Sequence, residues 1–125
     1  MSGRLIQPVR QGASLVAEMR QHRASPDLSI WWLGQSGFVC ASGGDLMVFD
    51  PYLSDSLTAK YAATDKPHVR MTERVMSPAE LRDAGPSVVT ATHQHTDHLD
   101  AETLKPLLAG SGARLLAPRA WEKME

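Results

Sequence analysis

A chain of 125 residues, 42% hydrophobic and 22% charged, has room for one ordinary domain with a real core and little for a second. No apolar run approaches the roughly 20 residues of a membrane-spanning helix, so no membrane partner is expected. Thirteen Lys and Arg against fourteen Asp and Glu give a net charge of −1, without the broad positive field of a nucleic-acid binder, and no nucleic acid is expected either. The opening MSGRLIQPVRQG is basic but lacks the ~7–15 apolar residues of a secretory signal, which points to the cytoplasm. The single Cys40 can form neither an internal disulfide nor a paired-cysteine zinc site, and reads as a small core residue.

In chain order, Ala13 to Arg23 reads as an amphipathic helix with Leu15, Val16 and Met19 on its core side, stopped by Ser25-Pro26-Asp27. Ser29 to Leu33, Phe38 to Ala41 and Leu46 to Phe49 are short β-rich runs separated by Gly34-Gln35-Ser36-Gly37 and Ser42-Gly43-Gly44-Asp45, the pattern of an antiparallel meander. Asp50-Pro51 ends the third run, because proline fixes the backbone. Residues 54 to 75 are polar and poorly periodic, a long loop with room for a short helix. Ser77-Pro78-Ala79-Glu80 is a capping box with proline in the first turn, opening a helix that Gly85-Pro86 closes. Ser87 to Thr92 is a strand whose β-branched and small residues suit burial on both faces. Asp100 caps a helix over Ala101 to Leu108, with Pro106 as an irregularity, and Ala113 to Ala117 makes a last strand, closing a βαβ unit. Arg119 to Glu125 looks like a helix with no C-terminal stop signal.

The chemistry gathers in THQHTDHLD, residues 92–100, which hold three of the five histidines and two aspartates between a buried strand and a helix. Strand-to-helix connections at the carboxyl end of a sheet are where such folds place ligands. His93 and His95, two apart in extended backbone, project to one side, so their imidazoles can converge on one ion. A turn through Thr96 brings Asp97 and His98 beside them, a carboxylate and a third imidazole for a second ion. Polar loop residues facing water would leave this density unexplained, because clustered imidazoles repel one another's protons and gain nothing in packing.

H-x-H-x-D-H after an apolar strand resembles the signature of the metallo-β-lactamase superfamily. The flanks Trp32-Leu33-Gly34-Gln35-Ser36-Gly37-Phe38, Asp50-Pro51-Tyr52-Leu53 and Ala91-Thr92-His93 look like its branch related to ascorbate-6-phosphate lactonase, in order over residues 29 to 118. The resemblance implies an α/β (α+β) fold class: the N-terminal half of a four-layer αββα sandwich, a mixed sheet with flanking helices. It implies His93 and His95 on a first metal, Asp97 and His98 on a second, and Asp97 as the catalytic residue that steers the hydrolytic water. By the same resemblance Asp50 sits at the floor of the site, where it orients a ligating imidazole; capping the Pro51 turn is an equal alternative. Gln35 and Ser36 are most simply explained by a tight turn.

The family's second half, with a further histidine, a bridging aspartate and a last histidine, is not matched here, and neither His22 nor His68 stands at those positions. The expectation is one partial domain, residues 1–125, holding part of the site of a metal-dependent hydrolase that takes Zn or Mn, up to two ions, and cleaves an ester, lactone or related bond of a small-molecule substrate. The alternative is a non-catalytic metal-binding fragment or binding module that needs a partner chain. Either way a C-terminal half, or self-association, is expected on an exposed sheet face near Trp31, Phe38, Val48 and Val89.

Overall fold

The computed structural model describes residues 4–124; the first three residues of the basic opening segment and Glu125 of the expected C-terminal helix lie outside them. Helix α1 spans Gly12–Arg23 and is followed by β1 Ser29–Trp32, β2 Phe38–Ser42 and β3 Asp45–Phe49. Then come α2 Ser56–Tyr61, α3 Pro78–Asp83, β4 Val88–Thr90, α4 Ala101–Leu108, β5 Arg114–Leu116 and a 3₁₀ turn over Arg119–Lys123. The strands form one sheet in sequence order, with β1, β2 and β3 antiparallel and β3, β4 and β5 parallel. This is the expected α/β class, one helix layer on a mixed sheet.

The capping box holds α3 as its sequence predicts, with Ser77 Oγ accepting from Glu80 N at 3.1 Å and Ser77 N donating to Glu80 Oε1 at 3.0 Å. The C-terminal segment is a five-residue 3₁₀ turn in place of an α-helix, started at Pro118 and seated by the buried Trp121. The stretch 54–75 is less loop-like than its polarity implies. Arg70 is buried there, donating Nη2 to Tyr52 O at 2.5 Å and Nε to Ser54 O at 3.3 Å, with its guanidinium 4.7 Å above the Tyr52 ring. Burial pulls its pKa below the ordinary arginine value, against the upward pull of Tyr52 and Asp55.

Register decides which face each strand residue covers. Trp31, Val39, Val48, Val89 and Leu115 lie in one row across the sheet. That row faces the helices, and Val39, Val48 and Val89 share one core with Leu15 and Met19 of α1, Leu81 of α3 and Leu104 and Leu107 of α4. The other face carries Trp32, Phe38, Phe49, Thr90 and Leu116 in one row and Ile30, Cys40, Met47 and Val88 in the next. Ile30, Trp32 and Leu116 are each more than half exposed. The bare face expected near Trp31, Phe38, Val48 and Val89 is therefore corrected. Only Phe38 of those lies on it, because side chains alternate along a strand and the other three share the opposite parity. Strand β4 is likewise not buried on both faces: Val89 is in the core while Val88 and Thr90 are half-buried on the outer side.

Candidate metal centre

The histidine loop lies where β3 and β4, adjacent and parallel, both end. Asp50 follows β3 directly, donating its N–H to Thr90 O at 2.9 Å, and its φ of 47° turns the chain sharply into Pro51. Aspartate tolerates this left-handed conformation better than most residues. The turn directs a carboxylate, only 5% exposed, beneath the loop that follows β4. Gly37 lets the β1–β2 turn come close here: a Cβ would stand 3.3 Å from Pro51 Cα and 3.4 Å from Asp50 O. In the same turn the Ser36 hydroxyl lies 3.2 Å from Asp50 O and 3.0 Å from Asp97 O, so it joins the two backbones that carry the acidic groups. Ser36 thus does more than shape a turn.

Asp50 is the node of the network. Its Oδ1 accepts from Thr92 N at 2.9 Å, and its Oδ2 accepts from Thr92 Oγ1 at 2.5 Å and from His98 Nδ1 at 2.6 Å. These contacts fix where the imidazole protons sit. A carboxylate only accepts, so His98 carries its proton on Nδ1 and directs the Nε2 lone pair outward. The Thr92 hydroxyl spends its single proton on Asp50, so at 2.8 Å it must accept from His93 Nδ1, which leaves His93 Nε2 unprotonated and able to accept from His95 Nδ1. One buried carboxylate therefore sets the tautomer of two imidazoles. Thr92 carries no signal of its own in the sequence, because its hydroxyl has no meaning until Asp50 is brought beside it.

His93 Nε2 stands 3.1 Å from His95 Nδ1, and His98 Nε2 stands 3.6 Å from Asp97 Oδ2. Two ligands at about 2.0–2.2 Å from a tetrahedral ion are roughly 3.4 Å apart, so both separations suit donors that share a cation. His93 and His95 converge for a different reason than extended backbone. The strand ends at Thr90, and residues 95–99 form a turn in which His98 N and Leu99 N both donate to His95 O. Asp50, His93 and His98 also place donor atoms within 4.8 Å of one another. The His93 and His98 rings lie 4.0 Å apart, so the loop folds its imidazoles into one cluster.

The remaining histidines are elsewhere. His22 sits edge-on to Trp31 at 5.8 Å between centroids and 3.3 Å from Ser29 Oγ, while His68 stacks on Tyr61 at 4.1 Å. Asp100 stands at the N-terminus of α4 without capping its backbone; its carboxylate instead accepts from Ser54 Oγ at 2.6 Å, Ser56 Oγ at 2.8 Å and Thr103 Oγ1 at 2.6 Å. It pins the 50–56 stretch to α4 and so closes the loop's far end.

A sequence model of a beta-lactamase superfamily domain matches residues 29–123, from the first residue of β1 to the 3₁₀ turn. The chain belongs to that superfamily. It is also 30% identical over 91 residues to a protein of Methanosarcina mazei described as a UPF0173 metal-dependent hydrolase. That match covers 73% of this chain and 30% of the relative, so the chain spans about a third of the relative's length. No helix among the described residues is long and apolar enough to cross a membrane.

Proposed function

We propose that this superfamily member supplies the principal metal-binding loop of a metal-dependent hydrolase, with His93 and His95 on one divalent ion and Asp97 and His98 on another. The observation that carries the reading is the Asp50–Thr92 network, which leaves the Nε2 lone pairs of His93 and His98 unprotonated. That is the state a cation requires and the pattern in which a carboxylate orients a ligating imidazole. Asp50 acts as the orienting group, since Oδ2 already accepts from Thr92 and His98. Bound there, Zn²⁺ or Mn²⁺ would polarise a scissile carbonyl or phosphoryl oxygen and bring the pKa of water towards neutrality. Asp97, with 41% of its side chain exposed, is free to accept a hydrogen bond from the attacking water and fix its direction. A small-molecule ester, lactone or related bond is the substrate class in view, and the free Cys40 is compatible with a cytoplasmic setting.

In this reading the loop is part of a larger site. Two imidazoles are fewer than the three protein ligands usual for a catalytic zinc, and parallel strands are seldom left bare on one side. The outer face with Ile30, Trp32, Phe38 and Leu116 is the place for a second αβ layer that brings further ligands, an assignment that fits a relative of which this chain spans under a third. Calorimetric titration with Zn²⁺ and Mn²⁺ tests the loop. His93→Ala and His95→Ala should each weaken uptake at least about tenfold, with His22→Ala unchanged. Equal affinities in all these variants would reject the assignment.

A further inference from the structure

The loops that lead into β4 and β5 meet at the end of the sheet opposite the histidine loop, and a cleft of about 680 Å³ opens there. Residues 85–87 and 110–112 line it, together with Arg20, Arg23, Arg82 and Arg114. Backbone carbonyls fix three of these guanidiniums: Arg20 Nε donates to Asp83 O at 2.7 Å, Arg23 donates Nε to Gly44 O at 2.8 Å and Nη1 to Gly85 O at 2.6 Å, and Arg82 Nη1 donates to Ala109 O at 3.2 Å. Each of the three keeps Nη2 without a partner among the described residues. Tying α1 to α3 and α3 to α4 explains those bonds. It does not explain why a fourth cation, Arg114, exposed on β5 and with no side-chain hydrogen bond or ion pair among the described residues, shares the same opening. The carboxylates at hand are fewer: Asp83, 3.9 Å from Arg82 Nε, and Asp45, which accepts from Ser87 Oγ at 3.2 Å. In a chain of net charge −1, the cleft gathers positive charge that these two do not balance.

We propose that this cleft binds a linear oligophosphate, free or as the tail of a nucleotide, with the guanidiniums of Arg20, Arg23, Arg82 and Arg114 on the phosphate oxygens. A guanidinium presents paired N–H donors that match two phosphate oxygens, and fixing three of them beforehand lowers the side-chain entropy that binding would otherwise cost. Charge alone would admit any polyanion. Phosphates joined in a chain concentrate several negative charges within a cleft of this size, whereas carboxylates on one side of an extended peptide recur only every ~7 Å. The lining carries no aromatic ring, so nothing in it stacks on a base. Gly110 and Gly112 leave open space where side chains would stand, which lets phosphate oxygens approach the backbone there. The site is separated from the metal centre by the length of β4 and does not depend on the hydrolase reading.

Sulfate, pyrophosphate and tripolyphosphate titrated into ¹⁵N-labelled, metal-free chain test the site, since an oligophosphate would chelate any bound ion. Amide shifts should centre on residues 85, 87 and 110–114, and affinity should rise from sulfate to tripolyphosphate and fall with added NaCl. ATP and GTP should bind alike. Arg114→Gln, at an exposed and unbonded side chain, should weaken tripolyphosphate at least about fivefold with an unchanged melting temperature, and Arg114→Glu should weaken it further. Arg119→Gln removes an exposed charge outside the cleft and should bind as the parent chain does. No effect of Arg114→Glu, an equal loss in Arg119→Gln, a strong preference between ATP and GTP, shifts centred on residues 92–98, or tighter binding of hexaglutamate or duplex RNA than of tripolyphosphate would each overturn the assignment.

Discussion

Asp50 and Asp100 are the same residue in nearly the same surroundings, and they serve different ends. Both are almost fully buried, both flank the histidine loop, and each carboxylate accepts three hydrogen bonds. Asp100 takes all three from hydroxyls, Ser54, Ser56 and Thr103, groups that gain nothing beyond being satisfied. Asp50 takes one from a backbone N–H, one from the Thr92 hydroxyl and one from His98. Burial and bond count do not separate a staple from a functional carboxylate here. The donors do, because a hydroxyl ends the chain of effects while an imidazole transmits it to its other nitrogen.

The sharpest way to break the comparison is to remove the staple. Asp100→Ala leaves three hydroxyls without their acceptor and frees the 50–56 stretch from α4. Losing hydrogen bonds to a buried charged group and orphaning their partners should destabilise the chain by about 3 kcal/mol, measured by urea unfolding. Zn²⁺ affinity, measured well below the unfolding transition, should fall far less than it does in Asp50→Asn. A loss of metal as deep as that in Asp50→Asn would mean that the two carboxylates are not distinct in role.

Asp50→Asn probes the other member at nearly constant volume. An amide can present N–H towards His98 Nδ1, which favours the tautomer with its proton on Nε2, the nitrogen 3.6 Å from Asp97 Oδ2. Metal affinity should drop about 10- to 100-fold while stability changes less than in Asp100→Ala. Histidine ¹⁵N shifts would report the moved proton directly; an unchanged His98 tautomer together with unchanged affinity would assign Asp50 to the Pro51 turn alone.

Most of the architecture is legible along the sequence because its signals are local. The meander follows from alternation and glycine turns, α3 from Ser77 and Glu80, and the spacing of His93, His95, Asp97 and His98 marks the loop. What fails is what depends on parity or on distant partners. The sequence reading puts Val48 and Val89 on the bare face, and the pairing register sends them to the helix side. Asp100 occupies the position of a helix cap, but Ser54 and Ser56, over forty positions earlier, take its carboxylate first. Thr92 is invisible for the same reason, its partner Asp50 being 42 residues away.

Thr92 also supplies the smallest and most selective change. Valine keeps the shape and removes the one hydroxyl that passes Asp50's influence to His93, while the backbone N–H of residue 92 still donates to Asp50 Oδ1 and His98 keeps its own bond. Only the His93 tether is cut. Position 92 is exposed, so stability should shift by no more than about 0.5 kcal/mol. Without its acceptor, His93 Nδ1 no longer prefers the proton, and a fraction of the rings will carry it on Nε2, where it opposes a cation. Affinity for the first Zn²⁺ or Mn²⁺ should fall about fivefold, the order of one lost neutral hydrogen bond, and Thr92→Ser should restore it because serine presents the same oxygen. Histidine ¹⁵N spectra separate this from a loosened loop: His93 alone should show mixed tautomers in Thr92→Val, with His98 unchanged. Equal disturbance of both rings would mean that Thr92 acts by packing, and that Asp50 reaches only one imidazole.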